Sequence, residues 1–350
     1  MNTDLIPTPD TIPVSWWWFQ ILLLVTFLLH ILLMNFILGG SLITLWDVLR
    51  GRKAGRDAKS IPTLVALTVN FGVPPLLFIQ VLYGHFFYTS SVIMALAWIL
   101  VIPVLILAYY AAYVFSAKMD RAPLWSKISL SISALFLLYI AFVLVNNNTL
   151  ALTPGRWGEY FSHSGGTFLN WGEKTLIPRY LHMVIGAIAI AGLGKAIYYH
   201  FSKKADEETR KLEIKRGIKI FGWFTIIQIL LGFWFWLSLP KEIWTLFMGK
   251  NLAYTILMVI GWILGLLILH SAFTGRVKTA ALFGLLTVVV MIVIRDLVRH
   301  AYLGEIFSPG DLVLARQASP LIAFLLVFAV GLLSIYYMIN LIVKPSTEQP

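Results

Sequence analysis

The sequence lacks cysteine and carries little charge. None of its 350 residues is cysteine, and only 12% are Asp, Glu, Lys or Arg, about half the charged fraction of an ordinary soluble domain. The absence of cysteine excludes disulfides, iron–sulfur clusters, covalently attached c-type haem and thiol catalysis. Residues 1–15 contain no Lys or Arg and so lack the basic region of a signal peptide. We therefore expect the first apolar stretch to be retained as a helix.

Hydrophobic residues make up 59% of the chain, and the mean hydropathy is +0.84. Apolar runs of about 20 residues are long enough to cross the roughly 30 Å of hydrocarbon in a bilayer. The pattern predicts an all-α polytopic membrane bundle of about nine transmembrane helices, with residues 1–350 forming one domain. The predicted helices cover residues 16–45, 62–83, 91–117, 126–146, 178–200, 218–239, 252–272, 278–300 and 320–343.

The placement of the basic residues predicts the orientation of the bundle. A net charge of +11 could indicate a nucleic-acid partner, but Lys and Arg are concentrated in short loops between the spans. The basic loops are 46–61, 117–127, 201–217 and 273–279, whereas 84–90 has no Lys or Arg and 240–251 has two. This positive-inside pattern places the N-terminus outside and the C-terminus inside. We expect no nucleic acid, and we interpret the 203–216 charge run as a solvated loop facing phospholipid.

Two side chains suited to binding haem iron lie at similar predicted depths in the outer half of the bundle. His182 lies about one helical turn inside the fifth helix, and Met258 lies about two turns inside the seventh. Imidazole and thioether can form the axial pair of a low-spin haem. Gly186, Gly192 and Gly194 follow His182, while Gly261 and Gly265 follow Met258. The alternative is that these glycines only pack helices and that Met258 only fills the core.

Other ionisable residues fall within or beside the spans, where they are costly and often functional. His30 lies near the middle of the first helix, with a hydrogen bond to Asn35 or Ser41 as its structural alternative. Residues 295–300, RDLVRH, form either a self-neutralising ion cluster or a site for haem propionates and an oxygen ligand. We interpret three more histidines as interfacial or solvated: His163, His200 and His270.

Five segments, in the same order along the chain, resemble subunit I of the cytochrome bd quinol oxidase superfamily in its shorter, divergent form. The resemblance covers most of the chain and all nine predicted spans. Its segments are FQILLLVTFLLHILLMNFILGGSLITL, VNFGVPPLLFIQVLYGHFFYTSS, LIPRYLHMVIGAIAIAGLGKAIYY, ILMVIG and RDLVRHAYLGEIFSPGD.

The resemblance implies roles for particular residues. His30 matches the ligand of a high-spin haem at the oxygen site, and His182 and Met258 match the axial ligands of a low-spin haem b. Asp296 stands at the Glu that ligates a second high-spin haem, and Arg299 matches a neighbouring Arg. The expected cofactors are therefore a low-spin haem b and one or two further haems of b or d type.

The implied function is respiratory electron transfer, leaning towards an enzyme of the quinol or cytochrome oxidase type. Electrons would come from quinol or a cytochrome and reduce oxygen or another small oxidant. Gln80, His85 and His300 are the candidates for a proton path. The expected partners are membrane lipid, the electron donor and a second membrane subunit. The expected location is the inner membrane of a bacterium or archaeon.

The chain departs from the family pattern at several places. Gln80 stands where the family has Glu, the third helix has no acidic residue, and 240–251 is too short for the quinol-binding loop. Ile256 replaces an Arg, and residues 300–302 read His-Ala-Tyr where the family has Gln-Pro-Trp. These departures favour an alternative, an electron relay between the quinone pool and an outer-face cytochrome. A third reading is a non-redox transporter or scaffold whose histidines only pack helices.

Overall fold

The computed structural model describes residues 5–52, 54–120, 123–162, 165–202, 205–315 and 318–343. In this part of the chain, nine helices are long and apolar enough to cross a membrane, which confirms the predicted polytopic helical bundle. We number them α1 (Trp16–Leu49), α2 (Ile61–Met94), α3 (Val101–Lys118), α4 (Pro123–Leu152), α5 (Leu176–Phe201), α6 (Glu207–Leu237), α7 (Leu252–Phe273), α8 (Val277–Leu303) and α9 (Ala318–Val343). His163, predicted to be solvated, lies outside the described residues.

The prediction that the second helix ends at residue 83, before a loop over 84–90, is wrong. Helix α2 is kinked at Tyr83 (φ −134°, ψ 29°) and continues to Met94. The chain then reverses at Ala95, whose φ is 30°, and one helical turn, Leu96–Ile99, leads to α3.

Hydroxyl side chains explain why this continuation was missed. Thr89, Ser90 and Ser91 interrupt the apolar pattern, and such residues often mark turns. Here each hydroxyl donates a hydrogen bond of 2.8–2.9 Å to a backbone carbonyl in the preceding turn, at His85 or Phe87. Their polarity is therefore satisfied inside the helix.

The interpretation of the 203–216 charge run as a solvated loop is also wrong over its helical part. Helix α6 begins at Glu207, where the Asp206 carboxylate caps it by accepting a hydrogen bond from the Thr209 N–H at 2.8 Å. This bond lowers the pKa of Asp206. Farther along α6, Glu213 pairs with Lys195 of α5 at 2.9 Å, and Arg216 pairs with Asp47 of α1. These charges connect three helices at the end of the bundle that the basic loops predict to face inside, the inner end.

Helix α6 packs between α5 and α7, while α1 packs against α2 and α5. The remaining helices extend this arrangement, with α3 against α4 and α7 against α8. The α9 segment Ile322–Leu341 has no buried residue. Helices α1 and α5 approach each other closely at Gly39, where an added Cβ would clash with the Ala187 carbonyl and lie 2.8 Å from the Ala191 Cβ.

We expect Gly39→Ala to destabilise the bundle because its methyl group has no room between α1 and α5. Overpacking of this kind costs about 1–3 kcal/mol. The adjacent Gly40→Ala is the matched control, since nothing lies within 4 Å of its added Cβ. Thermal unfolding of the two variants in the same detergent checks this. Equal midpoints would contradict the described α1–α5 contact.

Candidate functional site

His30 is half-buried on α1 and faces α2. Its Nδ1 lies 3.1 Å from the Thr68 carbonyl oxygen. Because a carbonyl only accepts, Nδ1 carries the hydrogen and Nε2 keeps its lone pair. Gly72 makes room for the ring, since a Cβ there would lie 2.8 Å from Cε1. The ring is thus bonded to α2, not to Asn35 or Ser41, and a backbone carbonyl holds it as it holds many metal-binding imidazoles.

His182 is half-buried on α5 and faces α6. A Cβ added at Gly232 would lie 3.3 Å from its Cε1, and the Phe235 ring centroid is 6.2 Å away. Its Nδ1 is buried and forms no hydrogen bond of full geometry among the described residues, although the ring interacts with the Gln228 backbone of α6. A backbone carbonyl one turn before Gly232 therefore faces this imidazole, in a setting similar to that of His30.

Met258 belongs to an aromatic cluster between α6, α7 and α8, together with Trp236, Tyr254 and Ile294. Helix α6 separates its helix from that of His182. Phe235 of α6 packs against this cluster and also lies beside the His182 ring. The two predicted ligands therefore approach a common region around Phe235, but no direct contact joins them in the described part of the chain.

The glycines that follow the two predicted ligands face neighbouring helices. This arrangement agrees with their reading as helix-packing residues. Their nearest neighbours are Gln228 for Gly186, Ile220 for Gly192, Phe36 for Gly194, Met291 for Gly261 and Ile229 for Gly265.

Asp296 is the centre of a buried polar cluster at the outer end of α8. Its carboxylate accepts hydrogen bonds from Gln20 Nε2 at 2.8 Å and from Arg299 Nη1 at 3.0 Å. His300 Nδ1 donates to the Asp296 backbone carbonyl at 3.0 Å. The structure thus brings together three residues predicted from the sequence. Gln20 was missed, although a single Gln in an apolar helix is itself a signal.

Two arginines lie near this cluster: Arg295, which belongs to the RDLVRH segment singled out in the sequence, and Arg179, which was missed. Arg295 lies over the Phe27 ring at 4.4 Å and donates to the Asn148 side-chain oxygen at 3.2 Å. Arg179 lies over the Phe235 ring at 4.8 Å. Both are close enough to Arg299 to repel it electrostatically. The signal for Arg179 in the sequence was a cation inside an apolar span, three residues before His182.

The other predicted polar residues, Gln80 and His85, lie elsewhere. They line a cleft of about 160 Å³ between α2 and an N-terminal segment that includes Asp10. The His85 ring packs against Phe86 at 4.2 Å and Phe307 at 4.4 Å. Neither residue is bonded to Asp296 among the described residues.

A hydrogen-bonded loop covers the outer end of α4. Arg156 donates to both carboxylate oxygens of Glu159, at 2.8 and 2.7 Å, and this contact raises the pKa of Arg156. Arg156 also bonds to Asn170, whose backbone N–H donates to the Asn146 side-chain oxygen at 2.8 Å. The loop is therefore fixed to the end of α4 by polar contacts.

Comparison with protein-family models and with curated proteins finds no match to this chain. The chemistry of the site therefore has to be argued from its own residues.

We expect Asp296→Ala to be strongly destabilising because it leaves the Arg299 guanidinium buried without its ion-pair partner. Removing one partner of a buried pair costs about 3–5 kcal/mol. The matched control is Asp120→Ala, which breaks the exposed 3.0 Å pair with Lys59 and should change stability by less than about 1 kcal/mol. Chemical unfolding in detergent measures both. Similar losses in the two variants would contradict the burial described for Asp296.

Proposed function

We propose that this multi-pass membrane protein binds haem and transfers electrons, with His30 and His182 as iron ligands. The observation that carries the proposal is the setting of these two imidazoles inside the bundle. Each faces a glycine of a neighbouring helix, Gly72 or Gly232. His30 keeps a lone pair on Nε2, and the His182 ring interacts with the Gln228 backbone of α6 without a full hydrogen bond at its buried Nδ1.

The residues present fit such a group. Haem would supply a one-electron couple whose potential depends on its axial ligands. His182 and Met258 would hold a low-spin haem b, while His30 and Asp296 would serve one or two high-spin haems of b or d type. The Asp296 carboxylate already accepts two hydrogen bonds, but its two oxygens offer about four acceptor positions. It can therefore bind a metal without releasing Arg299.

In this proposal, quinol or a cytochrome donates electrons on the outer side, and oxygen or another small oxidant accepts them. The protein would work in the inner membrane of a bacterium or archaeon, beside a second membrane subunit. Its own residues position the cofactor: Thr68 orients His30, and the aromatic cluster around Met258 keeps water from the thioether.

A second candidate is an electron relay that does not reduce oxygen. The bonding of the proton candidates favours it, because Gln80 and His85 line a cleft whose lining does not include Asp296, and neither is hydrogen-bonded to Asp296 among the described residues. A relay needs no proton delivery to a buried oxidant, so this arrangement is sufficient for it.

A reduced-minus-oxidised optical spectrum of the purified protein tests the proposal, and carbon monoxide separates the two candidates. We expect haem bands, with a carbon monoxide shift for the oxidase and none for the relay. His182→Ala should abolish the low-spin signal and leave a haem bound by His30 detectable. His270→Ala, at the inner end of α7, is the control and should change neither signal. A colourless protein would refute haem binding, and survival of both signals in His182→Ala would refute the ligand assignment.

We expect Gly72→Ala to disturb the His30 site alone, since its methyl group would lie 2.8 Å from Cε1 and 3.1 Å from Nδ1 of that ring. The ring would have to turn away from Thr68, which changes its orientation towards iron. The high-spin signal and its carbon monoxide response should therefore weaken while the low-spin signal is retained. Gly331→Ala, whose added Cβ meets nothing within 4 Å, is the control. An unchanged high-spin signal in Gly72→Ala would count against His30 as a ligand.

A further inference from the structure

Three guanidinium groups lie together in the outer half of the bundle, on two helices that pack against each other, α5 and α8. Arg179 and Arg299 are only 8% and 4% exposed, and Arg295 is half-buried. The three are near enough to repel one another. So many cations within one apolar region carry a large desolvation cost unless anions accompany them.

The carboxylates nearby do not balance these charges. Asp296 forms an ion pair with Arg299 at 3.0 Å, but neither Arg179 nor Arg295 has an ion pair among the described residues. Glu173 in the outer loop is near enough to attract Arg179 electrostatically, and it accepts hydrogen bonds from the Thr175 backbone at 3.2 Å and hydroxyl at 2.9 Å. Asp296 and Glu173 thus supply two carboxylates against three guanidinium groups.

The hydrogen bonding of Arg179 is incomplete as well. Its Nε and Nη2 atoms are buried and have no hydrogen-bond partner in the described part of the chain. One face of the group is covered by the Phe235 ring, so only its edge remains for bonding. The planar edge of a guanidinium matches a carboxylate, which it binds through two parallel hydrogen bonds.

We propose that Arg179, Arg295 and Arg299 form a binding site for a ligand that carries two carboxylates. Arg179 offers its free edge to one carboxylate, and Arg295 and Arg299 supply the charge that neutralises the second. Two kinds of ligand share this chemistry: a porphyrin with its two propionates, and a free dicarboxylate. The porphyrin case rests on the function proposed above, whereas the dicarboxylate case does not.

Iron-free protoporphyrin IX tests the site separately from the histidine ligands, because it contains no metal for them to bind. Its dimethyl ester is the matched probe without charge. Quenching of tryptophan fluorescence measures the binding of each to the full-length protein produced under haem limitation. We expect the free acid to bind at least roughly tenfold more tightly than the ester, since charge-assisted hydrogen bonds are lost with the ester.

Substitution assigns this preference to the arginines. Arg179→Gln should lose most of the preference for the free acid. Arg179→Lys should keep more of this preference than Arg179→Gln, because lysine retains the positive charge but lacks the planar edge of the guanidinium. Arg50→Gln removes an arginine that lies over the Trp46 ring at 4.1 Å at the inner end of α1, and it should leave the preference unchanged. Thermal midpoints without ligand show that each variant is folded.

Succinate separates the two sources of carboxylate. If the porphyrin preference depends on Arg179, the ligand is a propionate-bearing porphyrin. If succinate raises the thermal midpoint of the wild type but not of Arg179→Gln, and the porphyrins show no preference, the site takes a free dicarboxylate. If neither probe distinguishes the wild type from Arg179→Gln, the site is refuted, even when the protein carries haem. A protein that binds succinate but never haem would instead refute the proposed electron transfer alone.

Discussion

The inability of a bilayer to solvate charge is the constraint on which this structure depends. Each polar group placed in hydrocarbon must find its partner inside the protein. At the inner end, Glu213 and Arg216 meet this requirement through partners on α1 and α5. At the outer end, Asp296 meets it through Gln20 and Arg299. Several buried polar atoms have no hydrogen bond among the described residues, and Nε and Nη2 of Arg179 are the ones in this group that carry a positive charge.

Hydropathy was sufficient to predict the nine spans, because the bilayer sets both their length and their composition. It was insufficient for the ends of α2 and α6, where local hydrogen bonds decide the outcome. Ser and Thr bonded to the preceding turn extend α2, and an Asp cap starts α6 within a charged segment. Such bonds depend on backbone geometry that the average polarity of a segment does not encode.

The candidate site was predictable to a similar extent. Ionisable residues that are costly to place inside a membrane, such as His30, His182 and Asp296, can be recognised in the sequence by their residue type and predicted depth. Their partners cannot be recognised in this way. Thr68 acts through its backbone carbonyl, and Gly232 acts by leaving space where a side chain would otherwise be. Gln20 reaches Asp296 across 276 positions of sequence. Contacts of this kind follow from the packing of whole helices, which no local pattern specifies.

The close approach of α1 and α5 has a consequence for the spacing of the two histidines. In the predicted topology these helices run in the same direction, and both histidines lie on the outer side of the Gly39–Ala187 contact. His30 precedes Gly39 by nine residues and His182 precedes Ala187 by five, a difference of four residues. At 1.5 Å per residue, the histidines differ in height by about 6 Å. The contact at Gly39 thus sets the register of α1 against α5, and this height difference follows from that register. Groups bound by these two histidines would therefore lie at different depths of the bundle, about one helical turn apart.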